Sequence, residues 1–187
     1  PRQLLILLIE LLRSHELPRL AMGGAWFKIF HCLTGRPALG PVALELGLFD
    51  LGAEHLRALG SPADAVSISR GKAGLAHVVA LAASELMKNF EGQQARPDLD
   101  SCVSSGLFEI SVQMVGAFAS AGVDGLSDTD HSALTLALTL LLRCGSHPCC
   151  EQSIRGLAPP LAFCLEHSLS CVDEIGTTSG AYAARLC

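Results

Sequence analysis

The chain is poor in charge. Of its 187 residues only 17% are Asp, Glu, Lys or Arg, and the formal net charge at pH 7 is −5. Nucleic acids and anionic membrane surfaces are bound by concentrated basic patches, which this mildly acidic composition does not supply. We therefore expect neither as a partner. Half of the residues are hydrophobic, which excludes disorder and predicts helices buried on more than one face.

Long hydrophobic runs are also missing. The two most apolar stretches are Leu4–Leu12, which Glu10 interrupts, and Ala133–Leu142. A helix needs about 20 apolar residues to cross a bilayer, so both stretches are predicted to be buried helices and no membrane partner is expected. The opening helix lacks the small-residue cleavage site of a secretory signal. Because the sequence starts without Met and inside a helical pattern, we interpret it as an excerpt of a longer chain.

Eight cysteines are present, but the loop-rich composition of a disulfide scaffold is not. Small secreted domains need disulfides because their cores are too small, whereas this chain has enough apolar residues for a core of its own. We therefore expect reduced, buried thiols and an intracellular, cytoplasmic protein.

What the sequence has in abundance is helical periodicity. Helices are predicted over 2–16, 18–35, 37–47, 48–59 and 72–90. Proline at the start of a helix and glycine at its end set several of these bounds. Alternation of β-branched residues is confined to short stretches that have no partner strand. The predicted fold class is all-α.

Three short helices repeat one pattern, RPALGPVALELG, RPDLDSCVSSG and HPCCEQSIRG, each opened by proline and closed by glycine. Pro37, Pro97 and Pro148 are 60 and 51 residues apart. A second amphipathic helix follows each glycine, and those that begin at Leu48 and Leu107 both open Leu-Phe-acid. The third helix that comes next is apolar on two faces, which requires cover on both.

This order of helices resembles the armadillo repeat family of α-solenoids. A short helix is followed by a longer one and then by a long buried one, with glycine at the first junction. The resemblance covers a partial repeat at 2–35, repeats at 37–91 and 97–147, and a truncated repeat at 148–187. It implies a right-handed α-solenoid of stacked three-helix repeats, with HEAT-like units as the alternative. Armadillo and HEAT periods are about 40–47 residues, so polar loops such as Gly60–Gly71 are expected to hold the excess.

The resemblance implies a non-catalytic scaffold whose concave groove, lined by the third helices, binds a protein partner. Family members that clamp extended peptides carry an asparagine ladder on these helices, whereas this chain has a single asparagine, Asn89. We therefore expect a partner helix or domain surface. The alternative is a regulatory repeat segment of a larger enzyme of the kinase, ubiquitin-ligase or GTPase-regulator type. No catalytic residue, metal or cofactor is predicted.

Candidate groove residues follow from helical spacing and from aligning the third helices at their terminal glycines. They are Trp26, Phe30, His77, Ser84, Lys88, Thr135 and Thr139. This groove is predicted to be aromatic at one end and polar at the other. Trp26 has an alternative role as a core residue, because aromatic side chains are used heavily in cores.

Motifs for other chemistry are weak. The stretch CGSHPCC collects zinc-type ligands from Cys144 to Cys150, but it lacks paired C-x-x-C spacing. SRGKAG contains a Gly-Lys pair without the earlier glycine or the Ser/Thr of a phosphate-binding loop. Because an excerpt of a repeat array exposes apolar ends, we also expect the isolated chain to self-associate.

Overall fold

A computed structural model describes residues 1–14, 16–58, 74–121, 128–145, 147–157 and 162. All regular structure in these residues is helical. The helices are α1 (Arg2–Arg13), α2 (Arg19–Leu33), α3 (Gly40–Glu45), α4 (Leu48–Arg57), α5 (Leu75–Lys88), α6 (Pro97–Ser104), α7 (Leu107–Ala121), α8 (Asp128–Cys144) and α9 (Glu151–Gly156). One 3-10 turn, Pro37–Leu39, precedes α3, and another, Pro148–Cys150, precedes α9. The predicted all-α class is confirmed for this part of the chain.

Some predicted segments lie wholly or partly outside the described residues. These are the loop at 60–71, the loop at 121–130, and the second and third helices of the truncated repeat after residue 157.

The helices pack in a recurring order. α1 packs on α2, α4 on α5, and α7 on α8. The later members of these pairs form a row, in which α2 contacts α5 and α5 contacts α8; the earlier members follow the same order, α1 to α4 to α7. Because α5 has neighbours on both sides, 11 of its 14 residues are buried. One hydrophobic cluster runs through all of these contacts, from Leu5 to Leu157.

Glycine makes the turn from each short helix into the longer one. Gly47 precedes α4 with φ 67° and Gly106 precedes α7 with φ 80°. This left-handed conformation is open to glycine and disfavours residues that carry a Cβ. The chain can therefore reverse within one residue, which places each longer helix against the short helix before it.

An arginine from the preceding helix pair is bound at each of these turns. The Arg13 guanidinium donates to the carbonyl of Leu46, one residue before Gly47. Arg57 Nη2 donates to the carbonyl of Ser105, one residue before the next turn, over 2.7 Å. The two arginines are the last residues of α1 and α4 and lie 44 residues apart. The same contact thus ties one helix pair to the next at two places.

Candidate protein-binding surface

Within the described residues, the middle helix of the row formed by α2, α5 and α8 has one face that is less buried than the rest. On α5 this face consists of His77, Leu81, Ser84 and Lys88, which helical spacing places in line. His77 and Leu81 are half-buried, Lys88 is exposed, and Ser84 is buried between them. The three residues that the sequence predicts for this helix therefore share its least buried face. We call these four residues the α5 stripe.

His77 supplies an unused polar atom to the α5 stripe. Its Nδ1 is buried, and no hydrogen-bond partner for it lies in the part of the chain that the structure describes. Burial lowers the pKa of the imidazole below its ordinary value, because the charged form loses solvation. The ring is therefore biased towards its neutral form, which offers one nitrogen as donor and the other as acceptor.

Lys88 is held at the end of the α5 stripe by a neighbour on the same helix. Its Nζ lies 3.3 Å from a carboxylate oxygen of Glu85, one turn earlier. Because the lysine side chain is 54% exposed, this ion pair contributes little to stability. The Lys88 ammonium therefore remains accessible to solvent at the end of the α5 stripe.

On α8 the predicted threonines are less accessible. Thr135 is half-buried, and the Thr139 hydroxyl donates to the carbonyl of Thr135 over 2.8 Å. This bond uses the Thr139 hydroxyl within its own helix, and the side chain is buried. Leu142 lies on the same face by helical spacing and is half-buried. This end of the surface is therefore more apolar than the sequence predicts.

The structure places Trp26 in the core instead of on the groove. Its side chain is 1% exposed, and Nε1 donates to His55 Nδ1 over 3.1 Å. The two rings meet edge-on with centroids 5.9 Å apart. Gly52 of α4 lies between the indole and α5, since a Cβ there would be in ordinary contact with the ring at 3.5 Å and would crowd Val79 Cγ1 at 3.0 Å. Trp26 therefore joins α2 to α4, as in the alternative core role.

The aromatic surface of α2 consists of Phe27, Phe30 and His31. Phe27 is 43% exposed and Phe30 is half-buried, with their ring centroids 6.1 Å apart. The exposed His31 meets Phe27 edge-on at 4.5 Å. Phe30 is the one predicted member of this group. Sequence reasoning missed the other two, although their four-residue spacing was available as a signal.

The predicted groove residues and their neighbours thus fall into three groups on helices that adjoin in the row: the aromatic group on α2, the α5 stripe, and the Thr135–Leu142 face on α8. Together the groups combine apolar side chains, such as Phe27, Leu81 and Leu142, with polar ones, such as His31, His77 and Lys88.

The cysteines near α8 belong to the core. Cys102 and Cys144 are buried with their sulfur atoms 3.9 Å apart. A hydrogen bond from Cys144 to Cys102, together with burial, holds the pKa of Cys144 far above its usual range, and burial raises the pKa of Cys150 to about 11. Protonated thiols are poor nucleophiles and poor metal ligands.

The remaining ligands of the CGSHPCC stretch are also bound elsewhere. His147 Nε2 lies 2.9 Å from a carboxylate oxygen of Asp100, and His147 Nδ1 accepts the backbone N–H of Cys149. Within the described ranges no three metal-ligating side chains come together. Among the five cysteines that the structure describes, four are buried as expected and Cys149 is exposed.

In the described part of the chain, no helix combines the length and the apolar character that crossing a membrane requires. No family model, curated protein or solved structure matches this chain.

Proposed function

We propose that this chain is an armadillo-like array of helical repeats that acts as a non-catalytic scaffold. Its row of α2, α5 and α8 binds a helix or a domain surface of a protein partner. The proposal rests on one observation, which is that two structural features recur along the chain. The order of helix packing and the arginine-to-carbonyl contact both return from one helix pair to the next.

The interval between the two arginines supports the repeat assignment. Arg13 and Arg57 occupy equivalent places 44 residues apart, within the period of about 40–47 residues of armadillo and HEAT units. The 60-residue interval from Pro37 to Pro97 includes the segment at 60–71, which lies between α4 and α5 in the sequence. The unit from Arg13 to Arg57, which contains no such segment, therefore has the expected length.

The chemistry of the surface supports a helix as its ligand. Phe27 offers an exposed aromatic ring, and aromatic side chains are prominent among residues that dominate binding energy. For His77 Nδ1 the described residues supply no hydrogen-bond partner, and we infer that a bound helix supplies one. A helix laid across the row places apolar residues on Phe27 and a polar residue at His77.

Peptide selection tests this proposal. A phage-displayed library of amphipathic helical peptides is selected on the chain, and the resulting peptides are titrated against Phe27→Ala, His77→Ala and the control Glu45→Ala. Glu45 is exposed on α3, outside the row. If Phe27 is a hot spot, its removal weakens binding by about 2 kcal/mol, roughly thirtyfold, and the control has no effect.

A thermal melt of each variant separates lost binding from lost folding. Phe27→Ala should melt at nearly the same temperature as the parent chain, because Phe27 is 43% exposed and does not belong to the hydrophobic core cluster. Peptides that bind all three variants equally would contradict the proposed surface.

A further inference from the structure

The helix α1 carries an exposed row of leucines. Leu4, Leu7 and Leu11 are 50%, 57% and 44% exposed. Spacings of three and four residues place them on one face, beside the core face of the same helix. Among the described residues, the other large hydrophobic side chain exposed to this degree is Phe27. We call the three leucines the α1 stripe.

Equivalent stripes exist on α4 and α7. The arginine contact aligns α1 with α4 at an offset of 44 residues, and the junction glycines align α4 with α7 at an offset of 59. The core faces agree in this alignment: Leu5, Phe49 and Phe108 are all buried, and so are Leu12, Leu56 and Val115. The alignment therefore holds for side-chain environment as well as for sequence position.

The α1 stripe alone is exposed. Its counterparts on α4 are Leu48, Leu51 and His55, which are 1%, 2% and 3% exposed. Its counterparts on α7 are Leu107, Ile110 and Met114, which are 1%, 8% and 2% exposed. The three positions are thus buried on both α4 and α7 but exposed on α1.

The preceding helix pair supplies the cover on α4. His55 accepts its hydrogen bond from Trp26 of α2, and α1 itself contacts α4. On α7, the contact with α4 continues the same order. In both cases the covering helices come earlier in the chain and are joined to the covered helix through a short helix, α3 or α6.

The α1 stripe faces away from this cover. Arg13 reaches the turn before α4, which marks the side of α1 that meets the rest of the molecule. At 100° per residue, Leu4 lies about 180° around the helix from Arg13. The stripe therefore lies at the open end of the rows formed by α1, α4 and α7 and by α2, α5 and α8.

We propose that the α1 stripe is a stacking face, and that its occupant is a further helix pair of the same kind on the same polypeptide. The pair joins α1 through a short helix, as α1 and α2 join α4. This inference rests on the proposed repeat arrangement and continues an interface that the molecule already contains. A second copy is a poorer occupant, because the interface that recurs in the molecule joins helices of one chain through a short helix.

An extended chain tests the inference. Residues 1–47 are followed directly by residues 4–187, so that Leu4 follows a glycine as Leu48 does. In this protein the internal copy of α1 should be covered. Its amide hydrogens are expected to exchange at least roughly tenfold more slowly than those of α1 in the parent chain, because covered helices open less often.

The substitution Leu7→Glu provides the matched control. In the parent chain, where Leu7 is 57% exposed, it should leave the melting temperature nearly unchanged. In the internal copy of the extended chain it should lower the melting temperature clearly and restore fast exchange. A double-mutant comparison of this kind separates stacking from a general effect of the charge.

Three outcomes overturn the inference. The first is unchanged exchange of the internal α1, and the second is an equally mild Leu7→Glu effect in both proteins. The third is a parent chain that light scattering shows to be dimeric and that Leu7→Glu makes monomeric, since the occupant is then a second copy. Peptide binding at Phe27 is measured separately, so failure of the scaffold proposal remains distinguishable from failure of stacking.

Discussion

The short helices that open at Pro37 and Pro97 share a backbone and differ in the use of one arginine. Arg36 has φ −132° and ψ 71°, and Arg96 has φ −119° and ψ 63°. Both avoid the helical region, as residues before proline do. The agreement shows that proline and the later glycine fix the path of the chain at both junctions.

The side chains of these arginines have different partners. Arg36 Nη1 donates to the last carbonyls of α2, those of His31 and Cys32, over 3.4 and 3.3 Å. Arg96 donates twice to Asp98, over 2.9 and 2.8 Å, and the Asp98 side chain is fully buried. At the position of Asp98, the first junction has an exposed alanine. Polar contacts therefore diverge between repeats while the backbone persists.

Replacing Arg36 and Arg96 should give the largest difference in stability between the two junctions. Arg96→Met leaves a buried carboxylate without its partner and should destabilise the chain by about 3 kcal/mol. Arg36→Met removes two long hydrogen bonds, one exposed and one part-buried, and should destabilise it by about 0.5 kcal/mol. Urea unfolding measures both. Adding Asp98→Leu to Arg96→Met should recover most of the loss, and equal effects of the two single variants would contradict the comparison.

Replacing the turn glycines should also change stability by different amounts at the two junctions, but this difference should be smaller than the one between Arg36 and Arg96. Gly106→Ala would displace the Arg57 guanidinium from its place beside the new Cβ, whereas Gly47→Ala meets no atom closer than 3.2 Å. The left-handed conformation alone costs about 1 kcal/mol, and loss of the Arg57 bond to the Ser105 carbonyl should raise the Gly106 value to about 2 kcal/mol.

Gly92→Ala is the matched control for the turn glycines. Gly92 has φ 79°, and no atom lies within 4 Å of its new Cβ, so it reports the backbone effect by itself. If Gly92→Ala destabilises the chain as much as Gly106→Ala, the arginine contact adds nothing to the second junction.

Replacing Arg57 or Arg13, which bond the carbonyls just before the turn glycines, should destabilise the chain less. Arg57→Ala loses a part-buried hydrogen bond to the Ser105 carbonyl and should destabilise the chain by about 1 kcal/mol. Arg13→Ala loses an exposed bond and should have about half that effect. Thermal unfolding of the two variants tests the order. A larger loss for Arg13→Ala would show that the α1 contact is the stronger one.

Helix bounds were predictable wherever proline and glycine mark them. The predicted start at Pro97 and the junction at Gly106 agree with α6 and α7, because both residues act through local backbone geometry. Leu4–Leu12 is different, since leucine or isoleucine occupies almost every position and no apolar period selects the exposed face. The exposed face of α1 could therefore be identified only from the folded structure.

The candidate site was predictable in part. Helical spacing brought His77 and Lys88 to one face of α5, because both lie on the same helix. The role of Trp26 depends on His55, which is 29 residues away in sequence and supplies the acceptor for the indole N–H. The burial of Asp98 likewise depends on Arg96 and on the packing of α6 against α8. Contacts of this kind are set by tertiary packing, which a local pattern does not encode.

The smallest effect is expected at the prolines, and it should be the same at both junctions. Pro37 and Pro97 occupy the first turn of their helices, where no intrahelical hydrogen bond is lost to proline, and both are exposed. Replacement by alanine should therefore act through the unfolded chain and destabilise each junction by about 0.5 kcal/mol. The different partners of Arg36 and Arg96 should not alter this value, because they act in the folded state. Paired urea titrations of Pro37→Ala and Pro97→Ala measure it. Unequal losses would show that one proline ring also contributes contacts in the folded state.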